Sequence, residues 1–148
     1  MALFTACFLC ACQKPDWVTT WATALQVAEP HNRPPEPGLA GNSLRQIVQV
    51  SVGGTELQLH LSNLFNTDAT EILGVEIAKA QTMGATPDIV EGTSVELTFG
   101  GQRSFTMEAG EEAVSDPVRF PLEDRENVAI TIHYGSISAE TLTSHPGS

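Results

Sequence analysis

Beyond residue 12 this chain of 148 residues contains no cysteine; its three, Cys7, Cys10 and Cys12, all lie at the N-terminal end. The body therefore has no disulfide framework and no thiol nucleophile. A metal held by Cys10-Ala11-Cys12 would need two more ligands close by, and the neighbouring sequence supplies none. Basic residues are scarce, 7 Lys and Arg against 18 Asp and Glu, for a net charge of -11. Nucleic acid recognition needs clustered basic side chains, so no nucleic acid partner is expected. Anionic membranes repel such a surface, which leaves a lipid anchor as the one route to a membrane. No apolar run approaches the roughly 20 residues of a spanning helix. Aromatics make up only 6%. A sugar-stacking platform built from Trp17, Trp21 and Tyr134 is thus thinly supplied, and all three are expected as buried anchors. Helical periodicity is missing throughout, and no glycine-rich loop opens a helix, which excludes a phosphate cradle. No Gly-x-Ser-x-Gly elbow occurs, and Ser115-Asp116 and Gly92-Thr93-Ser94 read as turn chemistry. His31, His60, His133 and His145 are not spaced to converge with a carboxylate, so neither a metal nor any other cofactor is expected.

What remains is strand pattern. Hydrophobic residues make up 41%, enough for one domain with a real core. Leu44, Gln46, Val48, Val50 and Val52 alternate with Arg45, Ile47, Gln49 and Ser51; Leu57, Leu59 and Leu61 alternate with Glu56, Gln58, His60 and Ser62. With Gly53-Gly54 between them, the two runs predict a β-hairpin. Further strands are expected over Leu73–Ala80, Ser94–Phe99, Arg103–Met107, Val118–Phe120 and Val128–Tyr134, with Gly100-Gly101 as the turn between the middle two. His60 and His133 fall on the faces opposite the apolar ones. Repeated short strands with turns between them predict an all-β fold, an antiparallel, jelly-roll-like β-sandwich. Pro30, Pro34, Pro35 and Pro37 rule out helix and central strand, so that stretch is a surface loop. Glu123, Asp124 and Glu126 crowd a turn, and paired-carboxylate chemistry would require a cleft that brings two of them together.

The apolar run Ala2–Ala11, followed by polar Gln13-Lys14-Pro15-Asp16, reads as an export signal. Leu9-Cys10-Ala11-Cys12 resembles a bacterial lipobox, which makes Cys12 the lipidation site. Residues 1–16 are thus a leader and tether, and the expected location is the bacterial cell envelope or periplasm. Residues 17–148 form the sandwich domain. The chain stops at Ser144-His145-Pro146-Gly147-Ser148, soon after a strong strand. The expectation is a sandwich cut before its last strands, with Val128–Tyr134 left as an edge and marginal stability as the consequence.

Six segments in order resemble the N-terminal part of two-domain SGNH (GDSL-type) hydrolases. They are Trp17-Val18-Thr19-Thr20-Trp21-Ala22-Thr23, Leu44-Arg45-Gln46, Leu61-Ser62-Asn63-Leu64-Phe65, Leu97-Thr98-Phe99-Gly100-Gly101, Ser115-Asp116-Pro117 and His145-Pro146-Gly147-Ser148. The resemblance implies an accessory β-sandwich whose partner is a following catalytic domain. In that family a Gly-Asp-Ser block carries the nucleophile and a later Asp-x-x-His block the base. This sequence contains neither, so no catalytic residue carries over and the chain is expected to be inert. The parent enzyme would remove ester groups, with a carbohydrate ester as candidate substrate. The alternative is a stand-alone, surface-anchored module that binds carbohydrate or protein.

Overall fold

In the computed structural model, residues 16–84, 88–138 and 140–145 are described. The chain is all-β, with no α-helix among the described residues. Its strands are β1 (Gln26–Val27), β2 (Ser43–Gln49), β3 (Gly54–Leu57), β4 (His60–Ser62), β5 (Thr70–Lys79), β6 (Val95–Leu97), β7 (Phe105–Met107), β8 (Glu112–Val114), β9 (Val118–Leu122), β10 (Asn127–Tyr134) and β11 (Thr143–Ser144). One layer is an antiparallel sheet in the order β2-β10-β5-β6, with β7 also on β5. Facing it is a long two-stranded ribbon, in which β3 and β4 run in line against β9 and β8.

The core lies between the layers. Val48, Ile72, Val75, Ile77, Leu97, Val128, Ile130 and Ile132 of the sheet meet Phe120 of the ribbon, and Leu57, Leu59, Leu61, Val118 and Leu122 pack on the same cluster. Period-two alternation aims these side chains inward. One departure from that period is informative. Ile72 and Val75 are both fully buried, although three residues apart. A bulge makes this possible: Tyr134 pairs with Ile72 while His133 pairs with Gly74, so Leu73 is the extra residue and stays exposed. A second, smaller cluster of Ala78, Ala80, Ala129, Ile47 and Ile89 covers part of the sheet's other face.

The expected hairpin between Leu44–Val52 and Leu57–Ser62 does not form. β2 pairs with β10, and β3 pairs with β9. Residues 50–53 carry the chain from one layer to the other. Gly53 is needed there for close approach and not for a tight hairpin turn. A Cβ on Gly53 would run into the Leu122 carbonyl, and neither Gly53 nor Gly54 has positive φ. A type I′ turn would require positive φ at both central residues.

Gly100-Gly101 forms the expected turn, both residues with positive φ, although β6 and β7 on either side of it do not pair with each other. β6 and β7 follow one line along β5, at Val75–Ile77 and then at Thr70–Ile72. The turn is an excursion from one interrupted strand, closed by a bridge between Phe99 and Gln102.

Val128–Tyr134 is not an edge. β10 is flanked on both sides, by β2 and by β5. After it, β11 pairs with β1. No described helix is long and apolar enough to cross a membrane.

Candidate functional site

Three polar clusters hold most of the chemistry-bearing residues. The first surrounds Asn63, which is almost fully buried. Its amide donates to the carbonyls of Asp68, Met107 and Glu108, and its Oδ1 accepts from the Thr70 hydroxyl at 2.9 Å. The Asn63 carbonyl accepts from Asn66 and Gly110. Asn66 in turn donates to Thr70 and accepts from the backbone N–H of Thr143. One side chain thereby ties the end of β4 to β5, β7 and, through Asn66, β11. Every partner is occupied by the fold, so this cluster offers nothing to a ligand.

The second cluster is a clamp at Ser115-Asp116-Pro117, where the ribbon's ladder is interrupted. Pro117 has no N–H to give. Beside it the Ser115 hydroxyl stands in for a ladder carbonyl, accepting from Leu59 N–H at 2.9 Å, while Ser115 N–H donates to the Leu59 carbonyl. Asp116 Oδ2 accepts from the Thr98 hydroxyl at 2.6 Å and from Gly101 N–H at 2.7 Å. The Asp116 N–H donates to the Thr98 carbonyl. Asp116 thus fastens the excursion on the sheet to the facing ribbon. The Thr98 hydroxyl first, and the Gly101 amide next, hold the Asp116 carboxyl below its usual range.

The third cluster lies on the outer face of the sheet. Ser43 Oγ is 2.6 Å from His133 Nδ1. On the other side of the ring, His133 Nε2 is 3.9 Å from Glu76 Oε1, and Glu76 Oε2 accepts from the Ser94 hydroxyl at 3.2 Å. Antiparallel register sets these neighbours: Ser43 and Gly74 both stand opposite His133. Sequence reading placed His133 on the outer face but did not join it to Ser43, because no local spacing connects β2 with β10. A serine, a histidine and a carboxylate in a row have the composition of an acyl-transfer set. One thing keeps it short of one: the carboxylate lies beyond hydrogen-bond distance of the ring.

The other candidates are separated by the fold. Among the described residues, no group of three His, Asp or Glu side chains is arranged to hold a metal. Glu126 pairs with Lys79 at 2.8 Å and accepts from Glu123 N–H, and the Lys79 hydrogen bond first of all lowers its pKa. Asp124 accepts from Gly53 N–H. These acidic residues cap a turn and a layer crossing, and no cleft gathers them.

Trp21 packs against the core and meets His145 edge-on, ring centroids 5.5 Å apart. Burial lowers the His145 pKa. Tyr134 also packs on the core, where burial pushes its phenol up to about 12. Trp17, expected as an anchor, is 45% exposed. The segment is fastened at Thr20, which bonds Ser51 and Val52, and Trp17 lies before that fastening point.

The proline-rich loop lines an open cleft of about 450 Å³ with Ile137 and Leu142. Its one basic side chain, Arg33, is engaged by the Glu140 carbonyl. Cys12 lies outside the described residues. Compared with known proteins, the chain matches no family model and no curated protein.

Proposed function

We propose that this chain is the accessory β-sandwich of an exported SGNH-type ester hydrolase, a structural partner without a nucleophile of its own. The observation that carries the reading is where the resembling segments meet. Thr98 and Gly101 of the Leu-Thr-Phe-Gly-Gly segment bind Asp116 of the Ser-Asp-Pro segment. Trp21 of the first segment meets His145 of the last edge-on, and Gln46 of the Leu-Arg-Gln segment reaches the same ring at 3.0 Å. Asn63 of the Leu-Ser-Asn segment is the most heavily bonded buried side chain described. Residues of this kind belong to a fold's fastenings, and their recurrence in order fits a shared sandwich better than a shared active site.

Catalysis in this reading belongs to a domain that follows, which removes ester groups from a carbohydrate or other small ester through a serine acyl-enzyme. Export, with a lipid on Cys12, holds the assembly at the cell envelope. The coding DNA downstream of Ser148 tests the proposal. An open frame encoding a Gly-Asp-Ser block and a later Asp-x-x-His block is expected. A stop codon in place of that frame would overturn it in favour of a stand-alone, surface-anchored binding module.

A further inference from the structure

The segment that precedes β1 uses one of its two tryptophans and leaves the other exposed. Trp21 packs on the core, whereas Trp17 and its neighbour Val18 are exposed. The segment is fastened at Thr20, whose hydroxyl donates to the Val52 carbonyl at 2.6 Å and accepts from Val52 N–H at 3.0 Å. The Val52 side chain, at the crossing between the layers, is exposed as well. Three exposed apolar side chains thus lie around one hydrogen-bonded joint. Tryptophan is highly buried on average, so an exposed one needs a reason. An indole, with its apolar rings and its single N–H, suits the boundary between water and hydrocarbon.

Covalent geometry says which surface this end of the domain meets. Cys12 stands five residues before Trp17. An extended chain spans at most about 3.6 Å per residue, so Trp17 lies within about 18 Å of Cys12. A compact domain of this length is about 35 Å across. With a lipid on Cys12, the tether is therefore only about half as long as the body it holds is wide. The far side of the sandwich cannot be turned onto the bilayer, and the Trp17 end stays beside it. Charge selects the kind of bilayer. The chain carries a net charge of -11, and Asp124, accepting from Gly53 N–H, sets a carboxylate next to Val52. Anionic lipid repels such an end, and zwitterionic lipid does not.

We propose that Trp17, with Val18 and Val52, sits in the interface of a zwitterionic bilayer and fixes how the lipid-anchored sandwich stands on it. This seat rests on the reading of Cys12 as the lipidation site and adds an orienting contact to it. One indole and two valines are too small an apolar area to hold the chain on a membrane, so the seat forms only where the lipid holds the domain.

Trp17 and Trp21 are the chain's two tryptophans, so fluorescence reads the seat directly. The full chain is purified from bacterial membranes, its mass shows whether Cys12 carries lipid, and it is reconstituted into phosphatidylcholine vesicles whose acyl chains are brominated close to the headgroup. Wild type is expected to lose about half of its emission, whereas Trp17→Phe, which keeps Trp21, loses less than about a tenth. Trp17 is exposed and makes no part of the core, so this variant folds as the wild type does. Adding phosphatidylglycerol to the vesicles is expected to weaken the wild-type quenching. Lipidated wild type whose emission is not quenched would overturn the seat and leave the anchor standing. Equal quenching of wild type and Trp17→Phe would overturn it too, since Trp21 would then be the quenched ring. Quenching that strengthens with phosphatidylglycerol would overturn the choice of a zwitterionic surface. A chain without lipid on Cys12 would overturn the anchor, and the seat with it.

Discussion

At the scale of single residues, two polar side chains, Asn63 and Asp116, tie separate strands together. Replacing Asn63 with alanine leaves the carbonyls of Asp68, Met107 and Glu108 without their side-chain donor and Thr70 without its acceptor. A buried group stripped of its partner costs about 1–3 kcal/mol, so Asn63→Ala is expected to lose roughly 2–4 kcal/mol in denaturant unfolding. Loss of only a few tenths would mean that water replaces the side chain. Asp116 gives the fold a pH signature. Its folded carboxyl is held below the ordinary 3.8, so the unfolded chain takes up the proton first as pH falls. The stabilisation is present in full above pH 3.8 and is lost as pH drops through the depressed folded value. The stability gap between wild type and Asp116→Asn should therefore be widest above that pH and close below it. A gap independent of pH would show that the Thr98 and Gly101 contacts do not depend on the charge.

At the scale of elements, strand positions were legible from alternation, and strand partners were not. β2, β5 and β10 lie close to where period two puts them, because each buries a continuous apolar face. The hairpin expected over Gly53-Gly54 is absent, since Gly-Gly signals equally a tight turn and a place where two backbones touch. Only the Leu122 carbonyl, distant in sequence, distinguishes the two. The short β8 and β11 carry too few residues to show a period. Ser43–His133 was invisible for the same reason as the sheet order: 90 residues separate the pair. The β5 bulge makes a sharp contrast. Ile72→Ala, at a fully buried site, should cost about 2–5 kcal/mol, whereas Leu73→Ser next to it should stay within about 0.5 kcal/mol. Thermal or denaturant unfolding of the two variants checks this, and equal losses would mean that Leu73 and not Ile72 fills the core.

At the scale of the whole molecule, the fold is fastened at named places: the Gly53 crossing, the Asp116 clamp, the Asn63 network and the edge-on Trp21–His145 contact. Such a body suits a rigid accessory domain. Attachment to the envelope is a separate part of the proposal, and it rests on Cys12. Membrane fractionation of wild type against Cys12→Ser should show the variant leaving the membrane fraction, and unchanged association would remove the lipid from the account. The central claim is that this sandwich supports an esterase without being one. Its most direct test is hydrolysis of p-nitrophenyl acetate by the purified chain, beside Ser43→Ala and His133→Ala. The account predicts that wild type and both variants hydrolyse the ester at the same slow rate, set by exposed basic side chains. Turnover well above that rate, abolished by either substitution, would contradict it and make Ser43 and His133 a working nucleophile and base.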